Sequence, residues 1–386
     1  MYEYQKNQKY YAQVTGSIEK HAAQELTALG AKVLSEEYRG IRFSLNETAS
    51  PKETLYKILY CSRLIQRILA PLMSFQCHSE KYLYQQAKNI DWTEIFDLSK
   101  SFTIITNVHN SHIDNSLYAG QILKDAICDK FKEKYDQRPN FKTKDGDVVF
   151  SLYIAENWAT ISYDVSGTSM HKRGYRTIGN QAPLQETIAA TIVKLAGWTN
   201  TQQNTLHDPM CGSATILAEA LMEYCQIPAG YLRTHTALKN MPDYDKQIWE
   251  NIVQTENDKI IPLPKNTISG SDIDPNSVEI AKTNLKKLPF GECINIFTAD
   301  FKDLPQKENM TIICNPPYGV RIGKNENIIK LYNEIGDFLK QKCKNSEAYI
   351  LCGKKELIPA LRLRAHWKKT LKNGNIETKL VKIMLR

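Results

Sequence analysis

Leu206-His207-Asp208-Pro209-Met210-Cys211-Gly212-Ser213-Ala214-Thr215 reads as a short strand that stops at a proline, turns at a glycine and runs into a helix predicted over residues 213–224. A strand feeding a helix through such a turn is the building unit of an open α/β sheet. Ligands of these sheets bind beyond the carboxyl ends of the strands. Gly212 lets the backbone approach a ligand closely, and the free N–H groups at the helix start suit a carboxylate.

Outward from this stretch the same alternation continues. Strands are expected at 267–271, 295–298, 310–314 and 348–352, and helices at 188–195, 275–288 and 328–342. Residues 367–385 read as a closing hairpin with Asn373-Gly374 as its turn. The expected architecture is a mixed seven-stranded sheet, parallel except for its terminal antiparallel hairpin. Residues 225–265 form an insertion to which the pattern assigns no role.

The first half reads differently. Strands near 10–14, 31–34, 40–45 and 63–75, with helices after Ser17 and Pro51, follow the β-α-β-β-α-β order of a ferredoxin-like unit. A second α+β unit follows, with helices at 81–88 and 117–135 and a strand at 101–108. Strands at 148–155 and 159–165 flank Glu156-Asn157-Trp158 as a hairpin. Residues 166–185, rich in Gly, Ser, Thr and basic residues, read as a linker. The expected domains are thus 1–66, 67–165, the linker 166–185, and 186–386.

Composition narrows the function classes. No run of 18 apolar residues exists, so no transmembrane helix is expected. The opening Met1-Tyr2-Glu3-Tyr4-Gln5-Lys6 is polar and leads into no apolar stretch, so a cytoplasmic protein is expected. The nine cysteines are scattered with no Cys-x-x-Cys pair, which offers neither a zinc site nor a disulfide framework. His109 and His112 have no further ligand pair beside them, and no metal is expected. The net charge of +8 is uneven: residues 340–386 hold thirteen Lys/Arg against three acidic residues, leaving the rest of the chain slightly negative. A basic end suits a polyanionic partner and equally suits a solvated surface.

Three further stretches carry chemistry. Gly270-Ser271-Asp272-Ile273-Asp274-Pro275 places carboxylates at the end of the second strand, where Asp272 is positioned for the hydroxyls of a ribose and Asp274, before a proline, for a helix cap. Thr298-Ala299-Asp300-Phe301 offers a carboxylate for an adenine amine and an aromatic ring to cover it. Asn315-Pro316-Pro317-Tyr318-Gly319 follows the strand ending at Cys314. Two prolines fix the backbone and remove N–H donors, so the Pro316 carbonyl and the Asn315 amide oxygen converge as acceptors. That pair suits an –NH2 group on a nucleobase, whose nitrogen lone pair is delocalised into the ring. Accepting its hydrogens localises the lone pair and stabilises the positive charge that develops on nitrogen. Tyr318 offers a face on which an extruded base stacks.

In this order and spacing the second half resembles the class I S-adenosylmethionine-dependent methyltransferases of the amino-group type, a Rossmann-like fold. The resemblance implies S-adenosylmethionine as cofactor, held by Asp208, Met210, Cys211, Gly212, Ala214, Thr215, Asp272, Ile273, Asp300, Phe301 and Asn315, and a reaction centre at Asn315, Pro316, Pro317 and Tyr318. The first half resembles a ferredoxin-like unit followed by a THUMP domain, an RNA-binding module. Ser166-Gly167-Thr168-Ser169-Met170-His171-Lys172-Arg173-Gly174-Tyr175-Arg176 is similar to the segment joining THUMP to methylase in bacterial large-subunit rRNA guanine-N2 methyltransferases. That likeness implies RNA as partner, with His171, Lys172, Arg173 and Arg176 following its backbone. Methylation of adenine N6 stays open, as does a non-catalytic RNA-binding assembly factor. Where the family loop has a second glycine this chain has Ala214, expected to sit harmlessly in the first helical turn.

Overall fold

The structure, a computed structural model, describes residues 1–176, 184–201, 205–318, 325–374 and 376–386. Gly319 and part of the expected linker lie outside the described residues. The chain divides into two compact units. One comprises Met1–Val14, Ala22–Met170 and Arg233–Gln254, and the other Thr15–His21, His171–Leu232 and Thr255–Arg386.

The first unit runs α1 (Glu3–Asn7), β1 (Lys9–Val14), α2 (Glu19–Ala28), β2 (Lys32–Glu37), β3 (Gly40–Ser44), α3 (Pro51–Cys61), β4 (Ile65–Gln76), α4 (Glu80–Lys88), β5 (Ser101–His109), α5 (Ser116–Tyr135), β6 (Asn140–Phe141), β7 (Val148–Ala155) and β8 (Trp158–Asp164). All eight strands join one sheet in the order β2-β3-β1-β4-β8-β7-β5-β6. The expected boundary at 66/67 therefore falls inside β4. This 12-residue strand is long enough to pair with β1 through its first half and with β8 along most of its length. The ferredoxin-like and THUMP halves share a backbone ladder instead of a linker. Between β7 and β8, Glu156 and Asn157 both take positive φ (50° and 59°), the left-handed pair of a two-residue hairpin.

The second unit continues with α6 (Glu186–Leu195), β9 (Thr205–Asp208) and α7 (Thr215–Tyr224). The insertion then contributes α8 (Thr236–Lys239) and α9 (Lys246–Asn257), which lie mostly in the first unit. After it come β10 (Ile268–Asp272), α10 (Pro275–Leu285), β11 (Asn295–Thr298), β12 (Met310–Cys314), α11 (Asn325–Lys342), β13 (Glu347–Cys352), β14 (Ala365–Asn373) and β15 (Ile376–Met384). The sheet order is β11-β10-β9-β12-β13-β15-β14. The first five strands are mutually parallel and β15 pairs antiparallel with both its neighbours. Tyr332, Ile335, Phe338 and Leu339 of α11 bury themselves with Ile312, Ile350, Val381 and Ile383 of the sheet. Asn373, expected in the turn, is instead the last residue of β14 and pairs with Ile376.

The insertion acquires a role here. Trp249 is 6% exposed, with its ring 5.9 Å from that of Tyr56 and 5.6 Å from that of Tyr60 on α3. The Tyr56 hydroxyl accepts the Asp245 N–H (2.9 Å), and the buried Tyr163 hydroxyl donates to the Ala237 carbonyl (2.6 Å). Residues 233–254 are thus a strap built into the first unit's core, held by aromatic burial and hydrogen-bonded phenols. Among the described residues no helix is long and apolar enough to cross a membrane, and no group of three His, Cys, Asp or Glu could hold a metal ion.

Candidate active site

Four adjacent parallel strands, β11, β10, β9 and β12, end in residues expected to carry chemistry. The first strand of this sheet is flanked by the second and the fourth, so the chain reverses direction of progress between β9 and β12. At that reversal the loops after the two strands separate and leave a crevice.

The loop after β9 is tied down from several sides. Asp208, 1% exposed, accepts the Met210 N–H at 3.0 Å. Burial raises its carboxyl pKa to about 8, the Met210 hydrogen bond pulls the other way, and the nearby Asp272 charge adds to the rise. Gly212 donates its N–H to Asp272 Oδ2 (2.9 Å), and Asp274 donates its N–H to Asp272 Oδ1 (3.0 Å). Each carboxylate oxygen keeps a further lone pair for a hydroxyl donor. Asp274 itself caps α10 through the N–H groups of Asn276 and Ser277, and the Ser277 hydroxyl (2.9 Å), with the Asn276 N–H, holds its carboxyl below the usual range. Beneath the loop His207 is buried, with Nδ1 2.8 Å from Ser269 Oγ; burial lowers its pKa to about 3 and leaves it neutral.

Ala214 is not in the first helical turn. It is the N-cap of α7 with φ 65° and ψ 29°, in the left-handed region, and fully buried. The expectation that its Cβ is nearly free is therefore corrected: an L-residue there costs about 1–2 kcal/mol. Having no polar side-chain atom, Ala214 does not cap the helix and takes up none of its first-turn amides. Thr215 opens the helix and is buried; the Cys211 thiol is buried as well, which pushes its pKa up.

Next to this loop lies a cavity of 280 Å³ whose walls include Met210, Asp272, Ile273, Asp300 and Phe301. This is near the lower bound of small-molecule sites, roughly 300 Å³. Ile273 is 66% exposed and gives the cavity an apolar cover. Asp300 accepts the Lys302 N–H and pairs with its ammonium (3.3 Å), so part of its capacity is already used. Phe301 is a core residue, its ring 5.6 Å from that of Phe338. Carboxylates at two positions, an apolar cover and uncapped helix amides fit a nucleoside bearing an amino-acid tail.

At the end of β12, Asn315 is half-buried, Pro316 buried and Pro317 exposed. The Tyr318 hydroxyl donates to Asn315 Oδ1 at 2.6 Å and is also hydrogen-bonded to the Asn373 side chain. Asn373 Oδ1 in turn accepts the Gln185 N–H (3.3 Å). The Tyr318 ring lies so close over Gly353 that a Cβ there would come within 2.2 Å of it. Asn373, Gly353 and Asn284, which donates to the Ser213 carbonyl at 3.2 Å, support the site across long sequence separations, and no local spacing marks them.

The linker residues depart from expectation. Arg173 is 1% exposed and ion-paired with the buried Glu219 (3.3 Å), to which Tyr175 also donates (3.1 Å). Arg176 pairs with Glu186 (2.7 Å) and donates to the Leu184 carbonyl. These two arginines hold the segment inside the second unit, so a phosphate-tracking role is corrected for Arg173 and for Arg176. Lys172 is exposed and His171 half-buried.

A family model described as RMKL-like, methyltransferase domain, matches residues 173–382, more than half of the chain, and a THUMP-domain model matches residues 77–164. The chain belongs to the RMKL-like methyltransferase family. The Synechocystis protein slr0064, provisionally classed as an RNA methyltransferase, is 33% identical over 97% of this chain and 96% of its own. The ribosomal RNA large subunit methyltransferase K/L of Photobacterium profundum is 33% identical over 96% of this chain but only 52% of its own, so the chain spans about half the length of such K/L relatives. A solved chain, SMU.472, provisionally classed as a methyltransferase and complexed with SAH, superposes with a TM-score of 0.84 at 25% identity over 98% of both chains.

Two outcomes are expected of this RMKL-like site. Because Asp208 binds its proton more tightly folded (about 8) than unfolded (3.8), its contribution to stability is full below pH 4 and is lost as pH rises to about 8. In denaturant titrations Asp208→Asn should therefore gain on wild type across that window and hold level above it; parallel curves would contradict this. Ala214→Gly trades a left-handed penalty for a lost buried methyl of about 0.8 kcal/mol and should stay within about 1 kcal/mol of wild type. Ala214→Val should lose more than about 2 kcal/mol in the same unfolding assay, and equal stability of the three would contradict the assigned backbone.

Proposed function

We propose that this chain transfers a methyl group from S-adenosylmethionine to an exocyclic base amine in RNA, and that the target is guanine N2 of large-subunit rRNA. The observation that carries the reading is the pair of neighbouring strand ends, β9 with its anchored Gly212 loop and β12 with Asn315-Pro316-Pro317-Tyr318. When bound, the cofactor supplies an electrophilic sulfonium methyl.

This chain's own groups do the rest. Asp272 receives ribose hydroxyls, Asp208 fixes the loop, and the uncapped start of α7 receives a carboxylate. Asn315 Oδ1 accepts one hydrogen of the target amine through the lone pair that Tyr318 leaves open, and the Pro316 carbonyl accepts the other. Both acceptors draw electron density toward the nitrogen as positive charge develops there, and the proton leaves afterwards, so no strong general base is needed. RNA as substrate is supported by the THUMP match and by the names of the relatives; guanine N2 is supported by the resemblance of the linker to guanine-N2 enzymes. A cytoplasmic site of action goes with a ribosomal substrate.

Asn315→Ala should lower kcat roughly 100-fold while leaving RNA affinity unchanged. The readout is tritium transfer onto rRNA from a strain lacking this gene. Nucleoside analysis of the labelled RNA should return N2-methylguanosine. N6-methyladenosine would reassign the ring, and absence of label with wild type would favour an assembly factor.

A further inference from the structure

Two charged side chains in the wall of the 280 Å³ cavity, Lys302 and Glu334, have no part in the methyl-transfer reading above. Asp300 opens a tight turn, Phe301–Asp303, by accepting the Lys302 N–H at Oδ1 (3.0 Å). The ammonium of the same lysine folds back onto Asp300 Oδ2 (3.3 Å) and stands 3.6 Å from Glu334 Oε2 on α11. The backbone that carries these groups is pinned. Phe301 is buried with its ring against Phe338 of α11, and Lys342, at the end of that helix, donates to the Lys302 and Leu304 carbonyls at 2.6 Å each. The Lys302 side chain, 49% exposed, is left to move between two fixed carboxylates.

Where that ammonium sits decides what Asp300 can recognise. An ionised carboxylate is an acceptor only, and an ammonium a donor only. With Oδ2 open, the wall takes a hydrogen from an amine such as that of adenine. With the ammonium over Oδ2, the wall instead presents a cationic donor, which opposes an amine hydrogen and suits a ring carbonyl such as that of hypoxanthine. The lysine stays charged: its hydrogen bond to Asp300, then the Asp300 and Glu334 charges, hold its pKa above the ordinary value. It must therefore be placed somewhere, and Glu334 Oε2 is the alternative acceptor within reach, while Oε1 of the same carboxylate faces the exposed Lys330 at 4.0 Å.

We propose that Glu334 is a specificity-determining residue of the cofactor site: it draws the Lys302 ammonium off Asp300, leaves a bare acceptor for the base amine, and so makes the site select adenine over an oxopurine. The inference rests on the reading of this cavity as the cofactor's nucleoside site and adds the pair that sets its base preference. It is tested by isothermal titration of the full chain with S-adenosylhomocysteine and with its deaminated analogue, S-inosylhomocysteine. Wild type should prefer the adenosyl ligand at least about tenfold. Glu334→Gln should shrink that preference roughly threefold, by weakening the adenosyl ligand. Lys302→Ala should keep the preference at or above the wild-type level, and the Lys302→Ala, Glu334→Gln double variant should match Lys302→Ala. Both side chains reach solvent, so these variants keep the fold. An unchanged preference in Glu334→Gln would overturn the inference and leave the cofactor site standing. So would an equal loss with and without Lys302, which would make Glu334 a direct ligand contact. No binding of either ligand by any of the four proteins would overturn the inference together with the cofactor reading. The expected pattern in a chain that transfers no methyl group to rRNA would keep the inference and overturn the methylase reading.

Discussion

The hydrogen bond from the Gly212 N–H to Asp272 Oδ2 joins the turn after one strand to the carboxylate ending the next. It is charge-assisted and spans 60 positions of sequence, so it converts two independent loops into one wall. Asp272 is held at its other oxygen by the Asp274 N–H, and the turn is held from below by Asp208 and from the side by Asn284. A nucleoside site built on loops needs this redundancy, because a carboxylate free to rotate would give no fixed partner to a ribose. Ala214 marks the cost: its left-handed backbone persists because the surrounding bonds over-determine it.

A similar logic governs the reaction centre. Asn315 is restrained by Tyr318, Tyr318 by Asn373 and the bare backbone of Gly353, and Asn373 by the Gln185 N–H. The terminal hairpin, which at first sight only finishes the sheet, therefore reaches Asn315, the residue proposed to grip the amine. The buried Arg173–Glu219 pair anchors the preceding segment. Removing either partner would strand a buried charge, at a cost of about 3–5 kcal/mol.

Much of this was legible in the residues. Strand-to-helix alternation, the glycine turn at Gly212 and the doubled proline after Asn315 are local signals, and the structure places β9 to β13 and their helices close to where those signals fall. What stayed hidden was non-local. Nothing near Arg173 reveals that Glu219 lies opposite it, so a basic run read as a solvent-facing track when half of it is internal. The strand read at 63–75 carried no sign of shared pairing, and only register shows one sheet where two units were expected. The strap around Trp249 has an amphipathic helix but no sequence cue to its partner.

The account stands on a proposed nucleoside cleft beside a strand end proposed to grip an amine. A crystal structure of the chain with S-adenosylhomocysteine and guanosine tests this most directly. The ribose hydroxyls should lie on Asp272 and the guanine amine between Asn315 Oδ1 and the Pro316 carbonyl. A ligand lodged elsewhere, or a base turned away from Asn315, would contradict it.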